Sequence, residues 1–442
     1  MKRIIATVTL GLALTLGANA QTFTYTTTAR QDIRANKLIS ANNYHAYPDQ
    51  NLPELTPSPE GYEPFFIDHY GRHGSRWLHM TKMYDEPLAE LEKADGLGKL
   101  TKRGQQLLET YRLMSRLSKG REGDLSDVGA EQHKGIGHRM ARNFPSVFRG
   151  AARVDAKSTV VNRCILSMQN EVDQLKAFNP GIDLTIDASE HDMYFMNNWR
   201  DKAINPLRKE VAHLHGDFLE KHVNPDKFLR RIFDAKYARD SIRDKRHLML
   251  WMFDGIGNMQ SHHAFDGMDE WDIFSEDELY ELWRYNNVYW YLIDGDAPAN
   301  RNRIVYFNGN LLRDFIKEAD NAILSGRNGA ALRFGHESVL MPLACLMGLN
   351  GADYQTSDME TLDRYWRSYD IFPMACNIQM VLYRPVGGAQ GDILVKVLLN
   401  EREATLPITT DMFPYYKWDE LRTYYINKLS NQPVVSFDRD MQ

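Results

Sequence analysis

The chain has 442 residues, 25% of them charged, with a net charge of −6, which is enough for one large domain or two moderate ones. That balance excludes a globally basic binder of nucleic acid or anionic membrane. Three cysteines, Cys164, Cys345 and Cys376, permit at most one disulfide, so stability must come from an apolar core.

The first stretch differs from the rest. Met1-Lys2-Arg3 gives a positive start, Ile4 to Leu16 an apolar run, and Ala18-Asn19-Ala20 a small-x-small cleavage site before Gln21. This is the pattern of a secretory signal peptide over residues 1–20. The apolar run is too short to anchor in a bilayer, and no later segment approaches the ~20 apolar residues of a membrane helix. An exported mature chain, periplasmic or secreted, is expected. Residues 21 to 60 mix Thr, Asn and Pro without period and read as a lead-in packed over the surface.

Phe65-Phe66-Ile67-Asp68-His69-Tyr70 then reads as an apolar strand running into Gly71-Arg72-His73-Gly74-Ser75-Arg76. A flexible turn at a strand end is where open α/β sheets place ligand sites. Two guanidiniums offer planar forks that match a tetrahedral oxyanion. Gly74 allows close approach beside His73. Flanking positive charge pushes the imidazole toward its neutral, nucleophilic form. The set proposes that His73 attacks phosphorus while Arg72 and Arg76 hold the charge.

Tyr84 to Leu97 and Leu100 to Leu117 carry apolar residues at helical spacing, and Gly120 to Gly123 ends them. Leu125-Ser126-Asp127-Val128-Gly129 starts another helix, with Ser126 or Asp127 as N-cap; His133 and His138 on it read as structural or exposed. An alternating piece, Ala152 to Ser158, leads to a helix that Thr159 can cap and that runs to Phe178. Arg163 falls in its first turn, where the helix dipole favours an anion. Residues 190–300 are helical and rich in Trp, Tyr and Met. A basic run there, Arg200, Lys202, Arg208, Lys209, Arg230, Arg231, Lys236, Arg239, Arg243, Lys245 and Arg246, is either solvated helix face or pocket mouth for a polyanion. His262-His263 point apart on a helix, and no metal site is read there. Ala330 to Phe334 repeats the strand-then-Gly logic before Gly335-His336-Glu337-Ser338 and a helix ending at Gly348 or Asn350. Cys345, on that helix, reads as a buried apolar thiol, and whether Cys164 pairs with Cys376 stays open. Asn377 to Arg384 and Asp392 to Leu399 form a hairpin about Gly387, Gly388 and Gly391, making the sheet mixed, and Tyr415 to Leu429 closes the chain as a helix.

Gly71 to Arg76 resembles the signature of the histidine acid phosphatases, which include phytases and multiple inositol polyphosphate phosphatases. That signature usually continues to a proline two residues after the second Arg; here Trp77-Leu78 stands instead. The Leu-Ser-x-x-Gly start at Leu125, the Ser158-Thr159-x-x-x-Arg163 segment, the His336-Glu337 pair and Asn400-Glu401 with Leu406-Pro407 are similar to the family's later motifs, in its order.

The resemblance implies a mixed α/β core flanked by helices, residues 21–82 with 125–189 and 301–442, carrying a smaller α-helical cap, residues 83–124 with 190–300. It implies a phosphomonoesterase in which Arg163 is the third guanidinium of the pocket and His336 donates to phosphate. Glu337 is the implied general acid, which must protonate a leaving alkoxide that departs poorly as an anion. No metal or other cofactor is implied, because fixed cationic donors replace it. The implied partner is a phosphorylated, polyanionic small molecule, with inositol polyphosphates such as phytate the sharper expectation. A broad-specificity acid phosphatase, or a periplasmic phosphate-ester binding protein that has lost turnover, remains as the alternative. The scarcity of cysteines fits a bacterial exported protein, since eukaryotic secreted relatives usually carry several bridges.

Overall fold

The computed structural model describes residues 23–49, 52–197 and 202–430; the leader, its cleavage site near Ala20, and Arg200 of the basic run lie outside them. The aromatic and β-branched run at Phe65 forms the middle of β1 (Tyr62–Arg72). Seven further strands complete one sheet: β2 (Arg153–Ser158), β3 (Asp183–Asp187), β4 (Gly329–Gly335), β5 (Asn377–Pro385), β6 (Leu394–Leu399), β7 (Arg402–Glu403) and β8 (Tyr416–Lys417). Their order is β3-β2-β4-β1-β5-β6-β7, with β8 also on β6. β1 pairs in parallel with β4, Arg72 opposite Gly335, and antiparallel with β5. The sheet is therefore mixed, as expected, and the parallel half brings the C-terminal ends of β1, β2 and β4 to one edge.

The helices are α1 (Ala29–Ala35), α2 (Lys82–Gly96), α3 (Lys102–Ser118), α4 (Asp127–Asn143), α5 (Asn162–Phe178), α6 (Met193–Met196), α7 (Ile204–His222), α8 (Asp226–Ile232), α9 (Ala235–Asp240), α10 (Lys245–Asn258), α11 (Glu276–Asp294), α12 (Gly309–Ser325), α13 (Glu337–Met347), α14 (Ser368–Ile371) and α15 (Trp418–Ser430). Side chains alternate across β1 as the pleat requires. Phe66 and Tyr70 join a cluster with α12, α13 and α15 on one face. Ile67 joins Met140 of α4 and Met168 and Val172 of α5 on the other. A separate helical cluster gathers Leu107, Tyr111, Phe228, Phe253, Trp271 and Trp283.

Two local expectations change. Thr159 does not cap α5: its N–H continues the ladder to the Phe334 carbonyl at 2.9 Å, which keeps it extended, and Val161 becomes the N-cap without a side-chain bond. The lead-in over residues 21–60 is not a surface cover. α1 and the 3₁₀ segment Lys37–Tyr44 bury Ala29, Ile33, Ala41 and Tyr44 in the helical cluster. All three cysteines are buried and free. Among the described residues no helix is long and apolar enough to cross a membrane.

Candidate active site

The catalytic candidates converge because the chain leaves β1 and β4 side by side. Arg72 N–H donates to the Cys376 carbonyl at 2.8 Å and His73 N–H to the Gly335 carbonyl at 2.9 Å. Gly335 must lack a side chain, since a Cβ there would stand 2.0 Å from the Tyr70 hydroxyl, which in turn receives the His336 N–H at 3.2 Å.

The turn after β1 rests on the start of α4, backbone against backbone. A Cβ on Gly74 would fall 2.3 Å from the Gly129 carbonyl, and one on Gly129 would fall 2.1 Å from the Ser75 carbonyl. Ser126 caps α4 through the Gly129 N–H and donates its own hydroxyl to the Ser75 carbonyl at 3.0 Å. Gln132 accepts the Ser75 N–H at 2.8 Å, and Ser167 of α5 accepts that of Gly74 at 3.1 Å. Both glycines thus share one cause, and it is steric.

His73 is fully buried. Its Nδ1 lies 2.9 Å from the Gly74 carbonyl; a carbonyl only accepts, so the proton sits on Nδ1 and Nε2 keeps its lone pair. Nε2 has no hydrogen-bond partner and lies 3.6 Å from Glu337 Oε2. Burial first, then Arg163, Arg72 and Arg76, hold the imidazole well below its ordinary pKa, which favours the neutral ring. His336 is lowered to about 4, by burial and then Arg163. Its ring stands 5.8 Å from that of His73, edge to face.

Glu337 opens α13, with Oε2 3.1 Å from Arg72 Nε. Burial pushes its carboxyl up, but Arg72 and then Arg76 outweigh it and bring the value down to about 2. Arg72 Nη2, Arg76 Nε and Arg163 Nε have no hydrogen-bond partner. Such unmatched donors suit an anion bearing several oxygens. Ligand atoms of His73, His336 and Glu337 lie within 4.8 Å of one another, close enough to share a metal. The three surrounding guanidiniums oppose a cation there, and the set fits an oxyanion better. All six residues singled out in the sequence therefore meet at one place.

Beneath the turn lies a buried pair that sequence reading left as structural. His133 Nδ1 is 2.8 Å from Glu171 Oε2, and its Nε2 is 3.0 Å from the Arg72 carbonyl. Both nitrogens face acceptors, so the pair must hold one proton beyond a neutral imidazole and a carboxylate. His138, by contrast, is exposed.

The turn is also tied to the cap. Asn258 donates to the Arg76 carbonyl at 2.9 Å and accepts from the Tyr84 hydroxyl at 2.6 Å, which in turn receives the Leu78 N–H at 3.2 Å. Trp77 N–H donates to the Asp124 carbonyl at 3.0 Å, and its ring stacks on His262 at 3.7 Å. Leu78, two residues after Arg76 where the family signature carries proline, thus uses its N–H here, which proline lacks. His262 is spent in this stack while His263 faces Glu131 and Asp266, so the two histidines diverge.

A cleft of about 580 Å³ opens over the site. Residues missed in the sequence line it: Asn43 and Tyr44 from the lead-in, Asp254 of α10, and Asn286, Tyr289 and Trp290 of α11. The last three recur at i, i+3 and i+4, a helical face that could have been noticed. Among the described residues no member of the basic run lines the cleft. Several of those charges pair with nearby acids, Arg208 with Asp294, Arg231 with Glu278 and Arg246 with Glu220.

Residues 71–400 match the family described as histidine phosphatase superfamily (branch 2). Among solved structures, the chain is similar to a Bifidobacterium longum multiple inositol polyphosphate phosphatase in complex with inositol hexasulfate. The TM-score is 0.69 at 20% identity, covering 87% of this chain and 97% of that one. It is also similar to the phytase from D. castellii, with a TM-score of 0.63 at 12% identity over 89% and 85% of the two chains. With the family match spanning residues 71–400 and the fold shared over 87% of the chain, this protein belongs to branch 2 of the histidine phosphatase superfamily and is a phosphatase.

Proposed function

We propose that the chain is an exported phosphomonoesterase acting through a phosphohistidine at His73, on inositol polyphosphates such as phytate. The observation that carries the reading is the unpartnered Nε2 lone pair of His73, aimed at Glu337 among three guanidiniums. Nε2 attacks phosphorus as the bond to the leaving oxygen breaks, and Glu337 gives that oxygen its proton. Water then attacks the phosphohistidine, Glu337 takes the water's proton, and phosphate leaves. Arg72, Arg76, Arg163 and His336 hold the charge of the transferring group.

Held at about 2, Glu337 cannot bring the proton itself. A phosphate monoanion seated among the arginines both cancels their pull and carries a proton to hand over. The neighbours' named ligands and the His336-Glu337 pair support the inositol polyphosphate class; the basic run lends it nothing. The leader over residues 1–20 supports export.

Brief reaction with ³²P-labelled substrate, acid-free quenching and peptide mapping is expected to label His73 in the wild type and not in His73→Ala. No label and no turnover would leave a phosphate-ester binder. Strong preference for a simple monoester over phytate would leave a broad-specificity acid phosphatase.

A further inference from the structure

Positive charge in the cleft is confined to its floor. Arg76 and Arg163 line it there, beside His336 and Glu337, whereas the cap side offers Asn43, Asp254, Asn286 and Tyr289 and no lysine or arginine among the described residues. Asp254 is half-buried on α10 and takes no hydrogen bond or ion pair from any described residue. Asn43 and Asn286 likewise turn amides to the cleft without partners. The chain kinks at Asn42, with φ at 56°, a conformation uncommon outside glycine and kept where a side chain must be aimed.

A wall of carboxylate and amides accepts and donates hydrogen bonds to hydroxyl groups. We propose that Asp254, with Asn43 and Asn286, is a hydroxyl-reading wall that holds the free hydroxyls of partly phosphorylated polyols. This rests on the phosphatase reading of the same site and narrows its substrate class. Besides the floor residues, the titratable groups that share the cleft with Asp254 are His79, Tyr44 and Tyr289. Burial pushes the Asp254 carboxyl up to about 7, so its carboxylate form prevails only above neutrality.

The test compares kcat/KM ratios within each protein, at about pH 8 where the carboxylate form prevails, using inositol monophosphate, cyclohexyl phosphate and phytate. Wild type is expected to favour inositol monophosphate over cyclohexyl phosphate, the same ring without hydroxyls. In Asp254→Asn that preference should fall roughly tenfold, the worth of a charge-assisted hydrogen bond, while the ratio of phytate to inositol monophosphate rises. Because ratios are read, the fraction folded cancels. If both ratios are unchanged in Asp254→Asn, the wall is refuted while the phosphatase reading stands. If phytate is refused by wild type and variant alike while the monophosphate preference collapses in the variant, the wall holds and the inositol polyphosphate assignment falls.

Discussion

Gly129→Ala tests whether the catalytic turn is held by backbone contact with α4. The added Cβ would stand 2.1 Å from the Ser75 carbonyl and 2.7 Å from its N–H nitrogen. Ordinary contact begins near 3.4 Å, so the turn must retreat by about 1.3 Å. It cannot do so alone, because Ser126 and Gln132 clamp Ser75 from the same helix. Overpacking of this kind costs about 1–3 kcal/mol of stability, which a chain of this size survives folded. Displacing His73 and Arg76 by about 1 Å costs on the order of a hundredfold in rate. Stopped assays on an aryl phosphate should therefore show kcat/KM down about a hundredfold, with near-ultraviolet circular dichroism preserved. A folded Gly129→Ala protein within threefold of wild type would refute the argument that this contact positions the site. Gly74→Ala, whose Cβ meets the Gly129 carbonyl at 2.3 Å, should behave alike.

Other outcomes follow from the same geometry. Since Glu337 is already ionised above about pH 3, the reactive proton enters on the substrate, whose phosphate has a second pKa near ~6. Accordingly kcat/KM should fall tenfold per pH unit above ~6, and the break should move with the ester's own pKa; a break fixed across esters would contradict this. Glu337→Gln should slow alkyl phosphates by a factor of ~10²–10⁴ and activated aryl phosphates far less, whereas equal losses would remove Glu337 as the acid. Glu171→Leu leaves the buried Nδ1 of His133 without its partner. Urea unfolding should report a destabilisation of about 1–3 kcal/mol, and no change would show that the pair does not hold the turn.

What could be read from the chain was whatever short stretches decide. β1, β4 and the turns that follow them are contiguous apolar runs ended by glycine, and their chemistry lies within a few residues of each strand end. Thr159 misled because a helix-capping residue was claimed by the parallel ladder to Phe334, a tertiary bond without local trace. The basic run could not be assigned to helix face or pocket mouth from sequence, because its partners, among them Asp294 and Glu278, lie on another helix. The cleft wall was invisible for a similar reason. Asn43, Asp254 and Asn286 come from three distant segments that only the folded cap brings together.

The bond from His73 to Gly335 extends the β1–β4 ladder one step past the last paired residues. Neighbouring strands stand ~4.8 Å apart wherever a sheet forms, so the separation of the proposed nucleophile and acid is inherited from the repeat of the sheet itself. Side-chain packing need not maintain it. Lineages are then free to vary the residues that line the cleft around an unchanged reaction centre.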